Sequence, residues 1–315
     1  MDSLHLVDPA LRPLLELFPT VTLTAETLPQ MREAEYPLPP PENNGVSLDR
    51  ISVPGPEGAP EILVHVYRPE AATGELPCIY HIHGGGYVGG KAKQMEAVHR
   101  PLSAELGCVI VSVDYRLAPE TIFPGAIEDC YAGLGWTIAN AASLGIDTKR
   151  LGLMGESAGG GLAAALALLV RDKGEYGLAF QHLIYPMIDD RTCTRADPHP
   201  FAGEFIWHAA NNRFGWSSLL GTEPGGPDVS PYAAASRATD LAGLPPTFLS
   251  TGALDLFLEE DIDYARRLLR AGVPTEFHIY PGAFHGFDMM PAATVAEASR
   301  RDSREALRRF LGGTG

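Results

Sequence analysis

Between residue 78 and the C-terminus, short apolar runs of strand length alternate with longer helical patterns. No other feature constrains the fold as much. Neighbouring parallel strands must be joined by a crossover, usually a helix, so sustained alternation predicts an α/β fold: a mostly parallel sheet with helices on both faces. The strand-like runs are 78–83, 108–114, 151–154, 180–185, 247–251 and 276–280. Their middle members, such as Val109-Ile110-Val111-Ser112-Val113, are rich in β-branched residues. The helical patterns are 91–106, 123–144, 158–173, 258–271 and 295–311. Upstream, 51–54 and 62–67 read as antiparallel starting strands.

Two segments stand outside this rhythm. Residues 1–45 carry a helical apolar pattern around Leu11, Leu14, Leu15 and Phe18, then a second candidate helix. A proline- and asparagine-rich loop, 37–44, follows. This stretch reads as a mobile N-terminal arm. Residues 188–240 hold Phe205, Trp207, Phe214 and Trp216 among many turn residues, with no clear strand. An insertion of this kind suits a lid over the C-terminal edge of the strands, where ligands bind in open α/β sheets. The expected organisation is an arm (1–45), a first part of the core (46–187), a cap insertion (188–240) and a second part of the core (241–315).

Composition narrows the function. The formal net charge of −15 repels nucleic acid and anionic membranes. Cys78, Cys108, Cys130 and Cys193 are scattered, with no metal-like or redox spacing, and read as free thiols. The start of the sequence has no basic stretch followed by an apolar core, and no run of about eighteen apolar residues occurs. A cytoplasmic protein without nucleic-acid or membrane partners is expected.

The strongest chemical signal is Gly155-Glu156-Ser157-Ala158-Gly159, set between the strand 151–154 and the helix 158–173. A serine in a strand–turn–helix of this pattern is a nucleophile elbow. The turn is tight enough that side chains at the two glycines would collide. It also places Ser157 at a helix N-terminus, where developing negative charge is favoured. Upstream lies His83-Gly84-Gly85-Gly86, directly after a strand. Two of its glycine amides, with that of Ala158, are candidate donors to a developing oxyanion. A phosphate-cradling loop would need different glycine spacing. His285 stands between Gly282 and Gly286, after the last strand, and is the candidate general base. Asp255, past the strand 247–251, lies between serine and histidine in chain order and is the candidate acid. Asp261 and Asp263 fall in the next helix and are expected to face solvent, and Asp288 comes after the histidine, in the wrong order. An aspartate nucleophile, as in dehalogenases of similar architecture, is excluded by Ser157.

These motifs, together with Asp114-Tyr115-Arg116-Leu117-Ala118-Pro119-Glu120 and His285-Gly286-Phe287, resemble the hormone-sensitive-lipase-like α/β-hydrolases, the bacterial family IV esterases. The resemblance spans about residues 75–290. It implies an eight-stranded sheet, a helical cap from the arm and the insertion, and ester hydrolysis with no cofactor and no metal. By motif position it also implies oxyanion donors at the amides of Gly85, Gly86 and Ala158, structural roles for 114–120 and a supporting one for Glu156. Members often carry Asp-Pro-Leu at the acid, where this chain has Asp255-Leu256-Phe257. The implied substrate is a small ester. From the bulky side chains of the cap, short-to-medium acyl chains are expected, with Tyr87, Trp207 and Phe214 as candidate pocket residues. Amide, carbamate or lactone hydrolysis uses the same machinery and stays open. Plant gibberellin receptors resemble this family but lack the histidine that this chain retains. The last strand is expected to form a sheet edge and to pair in a homodimer.

Overall fold

The computed structural model describes residues 3–18, 21–33 and 41–312. The N-terminal arm holds two short helices, α1 (Arg12–Leu17) and α2 (Leu28–Glu33). Residues 37–40 of the proline-rich loop lie outside the described residues. An antiparallel pair follows, β1 (Val46–Val53) and β2 (Ile62–Pro69). The chain then alternates through β3 (Leu76–Ile82), α3 (Glu96–Leu106), β4 (Val109–Asp114), α4 (Gly125–Ala139), α5 (Ala141–Leu144), β5 (Ile146–Glu156), α6 (Ala158–Lys173) and β6 (Gln181–Ile184). The insertion contributes α7 (Ala209–Leu220). The chain closes with β7 (Thr247–Gly252), α8 (Leu258–Arg270), β8 (Thr275–Tyr280) and α9 (Thr294–Phe310).

The eight strands form one sheet in the order β1-β2-β4-β3-β5-β6-β7-β8. β2 is antiparallel to both β1 and β4, and every later pairing is parallel. The central strands are buried almost throughout, as helices on both faces require. Alternation sorts β4 between two cores. Val109, Val111 and Val113 join the core shared with α4, α6 and α8, and Ile110 joins Leu102 of α3 and Leu307 of α9 on the other face.

Several elements differ from the sequence reading, β1 among them, which begins at Val46 and not at residue 51. β5 begins at Ile146, because its polar start, Asp147-Thr148-Lys149-Arg150, has no apolar run to mark it. The helical stretch 123–144 is two helices, broken at Asn140, whose side-chain amide donates to the Trp136 carbonyl at 2.9 Å. The insertion contains a full helix, α7, stopped by Gly221 in the left-handed region.

The described part of the arm is docked rather than mobile. Val7, Leu11 and Leu14 are buried in a cluster with Leu254, Phe284 and Phe287, on the loops that carry Asp255 and His285. The Asp8 amide donates to the Gly282 carbonyl at 3.0 Å. Arm and insertion also grip each other. The Ser3 amide donates to Glu204 at 2.7 Å, and the Asn211 side chain exchanges hydrogen bonds with the backbone of Leu23 and Val21.

Candidate active site

Ser157 lies between the end of β5 and the start of α6 with φ 56° and ψ −123°. A non-glycine residue holds such a backbone only when its surroundings compel it. Here its amide donates to the Ile184 carbonyl, and its own carbonyl accepts from Gly161 and Met187. The flanking glycines are obligatory. A Cβ on Gly155 would lie 2.3 Å from the Gly159 carbonyl oxygen, and one on Gly159 would lie 2.0 Å from that of Ile82.

Asp255, His285 and Ser157 come together at the C-terminal edge of the sheet from three separate loops. His285 Nδ1 is 2.8 Å from Asp255 Oδ2, and His285 Nε2 is 2.9 Å from Ser157 Oγ. A carboxylate only accepts, so Nδ1 carries the hydrogen and Nε2 accepts from the serine hydroxyl. The other Asp255 oxygen accepts the Phe257 amide at 3.0 Å. Leu256 and Phe257, where proline and leucine are frequent in related chains, therefore still supply a tether. Asp255 is fully buried, and Ser157 and His285 are each 7% exposed. The acid and base loops touch directly, since a Cβ on Gly252 would meet the Ala283 carbonyl oxygen at 2.3 Å.

The glycine loop after β3 lies against the elbow. Gly85 and Gly86 have φ +123° and +62°, conformations open to glycine and costly for other residues. Among the described residues, no acceptor is bonded to the amides of Gly85, Gly86 or Ala158. The loop is braced from behind. Tyr115 donates its hydroxyl to the His83 carbonyl at 2.9 Å and stacks on the His83 ring at 4.4 Å. The Gly84 amide donates to Glu156 at 2.8 Å. Arg116 holds buried Asp129, and Arg32 from the arm pairs with Glu120 while donating to the Val88 carbonyl. The charged residues of 114–120 thus stabilise the surroundings of the loop.

The pocket candidates separate. Trp207 sits on the glycine loop: a Cβ on Gly86 would be 2.2 Å from its ring, and its ring centroid is 6.4 Å from that of His285. Tyr87 is buried behind the loop, with φ +67°; its hydroxyl donates to the Met187 carbonyl at 2.6 Å and its ring packs on Trp216. That placement makes it a support of the loop. Phe214 packs at the margin of the main core.

Asp263 is half exposed, but Asp261, expected to face solvent, is fully buried, and burial pushes its carboxyl well above the usual range. Its spacing from Leu258, Ala265 and Leu268 places it on the buried stripe of α8, a signal present in the sequence. Sequence reasoning also passed over Tyr185, which packs edge-on against His285 at 4.7 Å. A tyrosine immediately past a strand, at the edge where the site assembles, is the available signal. Among the described residues, no group of three or more His, Cys, Asp or Glu side chains is arranged to hold a metal ion. No helix among them is long and apolar enough to cross a membrane.

Residues 79–289 match the family model described as alpha/beta hydrolase fold. The carboxylesterase NlhH of Mycobacterium tuberculosis is 36% identical over 318 aligned positions, which cover 97% of this chain and 96% of that protein. A bacterial heroin esterase superposes with a TM-score of 0.88 at 40% identity, covering 98% of this chain and 99% of the other. An esterase of Pyrobaculum calidifontis superposes with a TM-score of 0.80 at 30% identity, covering 96% and 99%. The chain therefore belongs to the α/β-hydrolase family, in its hormone-sensitive-lipase-like branch of carboxylic ester hydrolases.

Proposed function

We propose that this protein is a carboxylesterase that hydrolyses short-to-medium-chain acyl esters through an acyl-serine intermediate. The observation that carries the reading is the buried hydrogen-bonded line Asp255–His285–Ser157, ending on a strained serine. His285 takes the Ser157 proton as the oxygen attacks the ester carbonyl. The developing oxyanion is held by the unengaged amides of Gly85, Gly86 and Ala158. The alcohol leaves with the proton from His285, and water, activated by the same imidazole, then releases the acid. Asp255 fixes the imidazole tautomer and stabilises the imidazolium. The scheme needs no cofactor. Arm and insertion act as a cap that bounds the acyl pocket, with Trp207 as its wall.

The test is Ser157→Ala assayed on p-nitrophenyl butyrate, beside organophosphate labelling of the parent. We expect kcat to fall by roughly a million-fold with melting unchanged. We also expect the label on Ser157 in the tryptic map. Turnover near the parental rate in the variant, or a label elsewhere, rejects Ser157 as nucleophile.

A further inference from the structure

Chain order excludes Asp288 as the acid partner of His285, yet the side chain is not idle. Its Oδ1 accepts the Tyr185 hydroxyl at 2.7 Å. The Tyr185 ring meets the His285 imidazole edge-on, with centroids 4.7 Å apart and planes at 66°. One tyrosine therefore touches the histidine and is also tied to the residue three positions beyond it.

The backbone beneath Tyr185 is strained. Its φ is +34°, outside the regions that side-chain-bearing residues favour, a cost on the order of 1–3 kcal/mol that surrounding contacts must offset. Those contacts belong to the site. The Tyr185 amide donates to the Ser250 carbonyl at 2.6 Å, the preceding carbonyl of Ile184 accepts the Ser157 amide, and the Met187 amide donates to the Ser157 carbonyl. The turn that grips the backbone of the serine thus also presents the ring that contacts the histidine.

The other end of the tether is anchored as well. Arg300 of α9 donates to the carbonyls of Asp288, of Met290 at 3.0 Å and of Pro291 at 2.7 Å. The hydrogen bond to Asp255 fixes one atom of the imidazole and leaves the ring free to swing about that contact. Phe257, edge-on at 5.1 Å, restrains it from the side of the acid loop. Tyr185 restrains it from the side of the serine turn.

We propose that Tyr185 and Asp288 are positioning residues for His285, a brace that holds the imidazole in line with Ser157. The proposal rests on the esterase reading for its kinetic consequence and on geometry alone for the orientation of the ring. The experiment compares Tyr185→Phe, Asp288→Ala, Asp288→Asn and the double variant Tyr185→Phe/Asp288→Ala on p-nitrophenyl acetate. Tyr185→Phe keeps the ring and loses the tether. It should lower kcat about ten-fold with KM unchanged, because small misplacements of a catalytic group are costly. Asp288→Ala should match it, and Asp288→Asn, which keeps an acceptor oxygen, should recover most of the rate. The double variant should be no slower than either single one, as expected for two parts of one device. Substrate-free proton NMR of the His285 Nδ1 hydrogen should show its far-downfield signal shifted or broadened in Tyr185→Phe. A parental kcat with an unmoved signal in Tyr185→Phe, or losses that multiply in the double variant, overturns the brace. If the parent hydrolyses no ester, the esterase reading fails, and the NMR signal still decides the brace.

Discussion

Glu156 shows how much chemistry one residue beside the nucleophile can carry without reacting. Its Oε1 accepts the Gly84 amide, and its Oε2 lies 2.9 Å from His81 Nε2. Burial pushes the Glu156 carboxyl up to about 7 and the His81 imidazole down to about 3. The histidine is therefore neutral, and its Nδ1 lies 2.9 Å from Ser112 Oγ. A carboxyl whose folded value is raised contributes stability below its ordinary value of 4.5, and that contribution is lost as pH rises through about 7. Glu156→Gln removes this titration and keeps an acceptor for Gly84. A neutral His81 meets the new amide with Nε2 accepting and Nδ1–H donating to Ser112. Relative to the parent, the variant should gain on the order of 2 kcal/mol between pH 5 and pH 8. Urea unfolding at both values checks this, and identical pH dependences in the two proteins contradict it. At this scale the motifs pointed to Ser157, Asp255 and His285 because their spacing and order are imposed by a steric and chemical requirement. Asp261 and Tyr185 each left a trace, the apolar spacing around Asp261 and the place of Tyr185 just past a strand, but which elements pack on them depends on partners distant in sequence.

Elements were legible in proportion to how fully they are buried. β4, closed in on both faces, shows a continuous apolar run, and α6 matched its sequence pattern from Ala158 to Lys173. The polar start of β5 and the helix α7 were not legible, since both owe their form to partners distant in sequence. α7 and the chain leading into it place a bulky side chain beside the site. Ile206 has φ +60°, and the next residue, Trp207, donates its amide to the Phe205 carbonyl at 2.6 Å. Its indole N–H donates to buried Asn212 of α7 at 3.2 Å. This turn and anchor set the indole against Gly86, so the ring borders the space beside the proposed oxyanion donors. Each buried methylene gains about 0.8 kcal/mol, roughly four-fold, until a wall is met. With the wall in place the parent should favour acyl chains of about two to eight carbons over palmitoyl. Trp207→Ala removes the wall, and the ratio of kcat/KM for palmitoyl over octanoyl esters should rise about ten-fold or more. An unchanged ratio places the acyl chain elsewhere.

The whole molecule presents two sheet edges, and they are unequally guarded. β1 carries Asp49 and Arg50 exposed along its length, charges that discourage pairing with another strand. β8 ends the sheet on the other side. It places Ile279 in solvent, 43% exposed, beside half-buried Phe277 and His278. An unpaired edge with an apolar side chain is a template for a second strand, and a two-fold axis lets the same edge serve both copies. We therefore propose a homodimer in which β8 pairs antiparallel with its symmetry mate and the sheet runs on through both copies. The charge of −15 on each chain opposes this association at long range, and salt screens that repulsion, so the dimer should strengthen with ionic strength. Arg309 on Glu276 keeps part of the local charge balanced at the contact, and His278 Nε2 lies 2.7 Å from the same carboxylate. Light scattering at micromolar concentration in about 0.15 M salt should return twice the chain mass. Ile279→Glu should return the single chain mass with ester turnover retained, because the Ile279 side chain is exposed to solvent while the triad is buried. A monomeric parent under these conditions rules out pairing through β8, and a variant that stays dimeric moves the interface to another face.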